Sequence, residues 1–136
     1  MVRDVDRLLP AVARSGDADV TLVLVDDADL VDDPSNALGT LATSARSGLH
    51  LVAAGRADRL RATYGHWTTN LRSSGVGLVL RPDLDRDGDL WGIRLPRDVE
   101  SRRGDGRGLL VADGEVELVQ VATTDLADHD RSEATS

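Results

Sequence analysis

The chain has 136 residues, enough for one domain and too few for two. Its formal net charge is −8, every one of its 16 basic residues is arginine, and it contains no Cys and no Phe. This excludes a disulfide framework and a thiolate metal site, argues against a free-standing duplex-DNA binder, and leaves no lysine for a phosphate-binding loop of the G-x-x-x-x-G-K-[ST] type.

Val5, Leu8, Leu9 and Val12 keep helical spacing, and Pro10 places the helix start near Asp6, with Gly16 as the expected stop. The segment before Gly16 is broken by Asp4, Asp6 and Arg7, so it does not read as a secretory signal. VTLVLV, residues 20–25, is a continuous apolar run between acids. That pattern predicts a strand buried on both faces, as in a parallel sheet. Asp33 and Pro34 fit the N-cap and first position of a helix whose stripe is Leu38, Leu41, Ala42 and Ala45, closed by Gly48. LHLVAA, residues 49–54, predicts a second buried strand. A helical region with a break at Gly65 follows, in which Trp67 and Leu71 lie one turn apart. VGLVL, residues 76–80, predicts a third strand.

Alternation of strand and helix predicts an α/β fold with parallel core strands at 20–25, 49–54 and 76–80. The ending differs. LLVA (109–112), Asp113-Gly114 and EVELVQVA (115–122) spell a β-hairpin over 109–122. Residues 123–136 are polar and acidic and are expected to be a disordered tail beyond a single domain at 1–122. No apolar run nears the roughly 20 residues that span a bilayer, so no membrane insertion and a cytoplasmic location are expected.

Charge is unevenly spread. Residues 1–33 hold nine Asp against three Arg, residues 34–112 hold twelve Arg against eight acids, and residues 113–136 hold seven acids against one Arg. A positive middle between acidic ends suits a subunit or domain contact better than direct nucleic-acid contact.

VTLVLVDDAD has the form of a Walker B strand, an apolar run that ends in two acids. Such a strand delivers Asp26 to the crevice at its C-terminal end, where α/β folds bind ligands. The same letters also describe a plain strand followed by an acidic loop. DLDRDGDL, residues 83–90, mimics the first half of a calcium loop at Asp83, Asp85, Asp87 and Gly88, but the twelfth position is Arg94 where a bidentate Glu is needed. Gly106-Arg107-Gly108 could cradle an anion, but a turn before the strand at 109–112 is the commoner use of such glycines. His50, His66 and His129 have no metal-ligand spacing, and His66 beside Trp67 reads as part of a packed helix.

VDDAD (25–29), GLHLVAAGR (48–56), YGHW (64–67), DGDLWGIRLPR (87–97), GRGLLV (106–111) and ELVQVA (117–122) occur in this order. Together they resemble the last ATPase domain of FtsK/SpoIIIE-family proteins, including the multi-domain ATPases of type VII secretion systems. The resemblance spans about Val5 to Ala122. It implies a RecA-like P-loop NTPase sheet, ATP and Mg²⁺ as cofactors, and other ATPase domains or subunits of the same motor as partners. The family moves DNA or secreted protein, in places as part of a membrane-anchored complex. It further implies Asp26 as the acid that holds Mg²⁺ through water, and Asp27 in place of the catalytic Glu, one methylene shorter. Arg72, and after it Arg56, are the candidates for an arginine that stabilises phosphoryl charge in a neighbouring subunit.

The family places its Walker A loop and first strands upstream of Walker B, whereas residues 1–19 contain a single glycine, Gly16. The chain is therefore expected to be a degenerate, nucleotide-associated module that does not hydrolyse ATP alone. It is expected to leave an unpaired edge at 20–25 or 49–54 that favours self-association or a partner strand. The alternative is a non-enzymatic module that docks a protein partner or secreted substrate.

Overall fold

The computed structural model describes residues 5–15, 20–98 and 104–122. A 3-10 turn at Val5–Arg7 runs into helix α1, Leu8–Arg14. Pro10 sits in the first turn, where its missing N–H removes no intrahelical bond. The carbonyls at the other end of α1 are taken by Arg46, which donates from Nη1 to Val12 O at 2.7 Å and from Nη2 to Ser15 O. A cation at that end also suits the helix dipole.

Strand β1 (Thr21–Val25) pairs in parallel with β2 (Leu49–Ala53), in the register Thr21↔Leu49 through Val25↔Ala53. Helix α2 (Ala37–Ala42) lies in the connection. It starts three residues later than the Asp33-Pro34 signal implies. Residues 33–36 form a turn closed by Asn36 N–H on Asp33 O at 3.0 Å, and Asn36 itself has a φ of 56°. Asp33 still caps, from a distance: its two oxygens accept the N–H groups of Ala37 at 2.8 Å and Gly39 at 2.9 Å. The motif named the capping side chain correctly but not the turn inserted between cap and helix.

Alternation along the two strands sends Val23, Val25, Leu49, Leu51 and Ala53 to one face. There they pack on Leu8, Leu9 and Val12 of α1, on Leu38 and Leu41 of α2, and on Trp67. The opposite face carries Leu22, Leu24 and Val52, which are 58%, 69% and 52% exposed. The expectation of burial on both faces is thus corrected. The helices that border β1 and β2 gather on one side, and an all-apolar run has no alternation from which that sidedness can be read.

Helices α3 (Ala57–Ala62) and α4 (Thr68–Arg72) are separated at Gly65, whose φ is 67°. The Val31 carbonyl accepts both the Trp67 indole N–H at 2.8 Å and His66 Nε2 at 3.0 Å. A carbonyl only accepts, so His66 carries its proton on Nε2, and Nδ1 receives the Thr68 hydroxyl at 2.8 Å. His66 is therefore a packing residue, but it lies just before α4 and not within a helix as expected.

Strand β3 (Gly77–Leu80) does not join β1 and β2. It pairs antiparallel with β4 (Arg107–Ala112), which pairs antiparallel with β5 (Glu115–Gln120). The expected three-stranded parallel core is corrected to a two-stranded parallel sheet and a separate three-stranded antiparallel sheet. Glycine contributes to this outcome. A Cβ on Gly108 would stand 2.5 Å from Val79 O, so only a residue without one lets β4 lie this close to β3. The Trp91 ring likewise fills the space over Gly77. The hairpin forms as expected, with Asp113 and Gly114 both left-handed at φ 52° and 78°, which is the turn that matches strand twist. Val79, Leu109 and Val111 of this sheet are buried, as are Leu90 and Leu95 of the segment between β3 and β4. Among the described residues β1 and β2 each keep one unpaired edge. The acidic tail at 123–136 lies outside the described residues.

Helix α3 meets the 3-10 turn Asp87–Leu90 through an ion pair between Arg61 Nη1 and Asp87 Oδ1, whose side chains are 20% and 7% exposed. Asp87 Oδ2 accepts the Asp83 N–H at 2.8 Å, Asp83 Oδ1 accepts the Asp85 N–H at 3.1 Å, and Asp85 Oδ1 faces Arg97 at 3.1 Å. Asp83, Asp85 and Asp87, the three acids of the calcium-loop pattern, therefore hold arginines and backbone. Truncating Asp87 leaves Arg61 partly buried and unpaired. Asp87→Ala is expected to lower stability by about 2–3 kcal/mol, measured by urea unfolding, whereas the exposed Asp85→Ala costs under about 1 kcal/mol.

Candidate functional site at the parallel strand ends

Two backbone bonds carry the β1–β2 ladder past the ends of both strands. Ala54 N–H donates to Val25 O and Ala28 N–H to Ala54 O, both at 2.8 Å. The segment between them, Asp26-Asp27, is lifted outward. Asp27 adopts a left-handed φ of 48°, its N–H is held by Asp26 Oδ1 at 2.9 Å, and both residues are exposed. Two exposed carboxylates thus stand at the C-terminal end of a parallel pair, the end at which open α/β sheets bind ligands.

The third acid of VDDAD behaves differently. The Asp29 side chain is 2% exposed. Its Oδ1 accepts the Arg56 N–H at 3.1 Å, and its Oδ2 faces Arg59 at 3.5 Å. Arg56 precedes α3, so Asp29 supplies from another loop the cap that this helix start lacks in its own sequence. Gly55 makes room for it, since a Cβ there would lie 2.7 Å from Asp29 Oδ1. Sequence reasoning passed over Asp29. The available signal was a third acid two residues beyond the pair, facing a helix start with no Ser, Thr, Asp or Asn at its cap.

Arg56 therefore sits at the same sheet end as Asp26 and Asp27, but its guanidinium is engaged. Nε and Nη2 make a two-pronged contact with Asp58, each at 3.2 Å. Arg72 lies elsewhere, in a recess whose lining includes neither Asp26 nor Asp27. Among the described residues no group of three or more His, Cys, Asp or Glu is placed to hold a metal ion, and no helix is long and apolar enough to cross a membrane.

No protein family, curated protein or solved structure matches the chain.

The Asp58 carboxyl is held below its ordinary value of 3.8, first by the hydrogen bond from Arg56, against a smaller opposing effect of desolvation. Arg56 is raised in turn by the same bond and by the charge of Asp58. With the folded-state value depressed, the pair's contribution is present above the ordinary carboxylate range and lost as pH falls through the lowered value. An NMR titration should place the Asp58 midpoint below 3.8, returning toward it in Arg56→Gln.

Proposed function

We propose that the chain is a degenerate, nucleotide-associated module of an FtsK/SpoIIIE-type motor ATPase, built on part of a RecA-like P-loop sheet and unable to turn over ATP by itself. The observation that carries this reading is the exposed Asp26-Asp27 pair at the C-terminal end of two parallel strands. Six segments that resemble motifs of that family, the first of them containing this pair, stand in the family's order.

The residues present fit one half of a nucleotide site. Asp26 would hold Mg²⁺ through water, and Asp27, shorter than Glu, would reach less far toward an attacking water. When bound, the metal would offset phosphate charge. The phosphate side is not supplied here, because the chain contains no lysine and Arg56 already faces Asp58. Two carboxylates without a cation repel a triphosphate.

The partner that completes such a site is another ATPase domain or subunit. The uncovered face of Leu22, Leu24 and Val52 supports a docking role, since apolar surface on a sheet normally marks a contact. That face also supports the second reading, a non-enzymatic module that docks a partner or secreted protein. In this second reading Asp26 and Asp27 have no part.

Purified chain incubated with Mg²⁺ and ATP should release phosphate no faster than buffer. Steady release abolished by Asp26→Ala would sink the reading. The two roles separate on addition of a P-loop ATPase subunit. Nucleotide association predicts that Asp26→Ala and Asp27→Ala weaken Mg-ATP-dependent assembly. Docking alone predicts that only Leu24→Glu does.

A further inference from the structure

The arginines of α3 and its flank have acidic neighbours. Arg56 faces Asp58, Arg59 faces Asp29 and Arg61 faces Asp87. Arg72 does not: among the described residues no carboxylate pairs with it. Its Nη2 is held by neutral acceptors, Thr69 Oγ1 at 3.1 Å and Thr63 O at 3.4 Å. Its Nε is shielded from solvent and has no hydrogen-bond partner. A shielded N–H without an acceptor is a cost, and a guanidinium without a counter-charge at the edge of a recess attracts an anion.

Arg72 lines a recess of about 450 Å³ together with Arg61, Thr63, Tyr64, Thr69 and Asp89. The chemistry of each lining group narrows the ligand. Arg61 is neutralised by Asp87, so Arg72 supplies the attracting charge. The Thr69 oxygen accepts from Arg72, which leaves its hydroxyl hydrogen for an anionic oxygen. Thr63 already donates to Leu60 O at 2.8 Å and supplies shape alone. Tyr64 is 95% exposed at this recess and offers a bare aromatic face. Asp89, exposed on the same lining, opposes an anion and limits its affinity.

We propose that this recess binds a phosphate monoester that carries a planar group, with the phosphate on Arg72 and the Thr69 hydroxyl and the planar group on Tyr64. The Arg72 guanidinium supplies positive charge and the N–H donors of Nη1 to a phosphate oxygen, and an exposed tyrosine ring gives a flat group a surface on which to stack. The proposal does not rest on the motor reading. It concerns the chain alone, with no partner subunit, and is read by binding rather than turnover.

The test is an NMR titration of the full chain with inorganic phosphate, ribose 5-phosphate and adenosine 5′-monophosphate, with acetate as the carboxylate control. Saturable shifts in residues 63–72 are expected with the three phosphates, tightest for the adenosine compound, and not with acetate. Arg72→Gln should weaken all three by about tenfold or more, the loss of one charged hydrogen-bonding group. Asp89→Asn should tighten them by removing the opposing charge. Tyr64→Ala should weaken the adenosine compound and leave ribose 5-phosphate unchanged. Tyr64 and Asp89 are both exposed, so these two variants decide the matter even where Arg72→Gln fails to fold. Absence of saturable binding, equal binding of acetate, or phosphate affinity indifferent to both Arg72→Gln and Asp89→Asn would overturn the proposal.

Discussion

The carboxylate of Asp29 fixes the end of the parallel sheet at which the candidate site stands. A polar group this buried has to be hydrogen-bonded, and its partners come from across the sheet, from the loop that leaves β2 and from α3. The bond to the Arg56 N–H requires that the backbone at Gly55 pass close to the carboxylate, which a side chain there would prevent. The loop after β1 and the loop after β2 are therefore locked together, and helix α3 begins where that lock puts it.

With Asp29 in the buried role, the Asp26 carboxylate holds only the adjacent Asp27 N–H, and both residues stay exposed. Three acids within four residues thus divide by environment rather than by kind. One is buried against backbone N–H and arginine, while two are exposed on a left-handed turn. The same division runs through the second acidic segment. Asp87 is buried on Arg61, and Asp83 and Asp85 are exposed and tied to nearby backbone and Arg97. Each of these two buried carboxylates meets the Nη1 of one arginine on α3, Asp29 that of Arg59 and Asp87 that of Arg61, so two loops are held to the same helix.

The two sheets share another property, apolar side chains that stand exposed among the described residues. Leu22, Leu24 and Val52 lie on one sheet and Leu78 and Leu80, 46% and 51% exposed, on the other. Burying such side chains is worth about 1.5–3 kcal/mol each, so their exposure forgoes stability that a covering surface would restore. The acids at the end of β1 and the glutamates of β5 oppose uncontrolled strand pairing by like charges. Charge at the strand ends and apolar side chains on the faces together favour a specific contact over open-ended stacking.

Local chemistry was legible in the sequence. The strands at 21–25, 49–53 and 77–80, the Asp113-Gly114 hairpin, the capping role of Asp33, the packing role of His66 and the exposed Asp26-Asp27 pair follow from β-branched runs, turn residues and charge placed along the chain. These depend on neighbours within a few residues, and a single sequence contains those neighbours. Which strand edge β3 joins, which face of β1 is covered, and which of several acids or arginines finds a counter-charge were decided by tertiary structure alone. The partners lie 26 to 30 residues apart for Arg61–Asp87 and Arg59–Asp29, and neither spacing nor composition encodes such a meeting. Arg56 and Arg72 make the point together. In sequence they are two arginines near element ends, whereas in the fold one faces Asp58 and the other, held by Thr63 O and Thr69, has no carboxylate partner among the described residues and stands beside a recess.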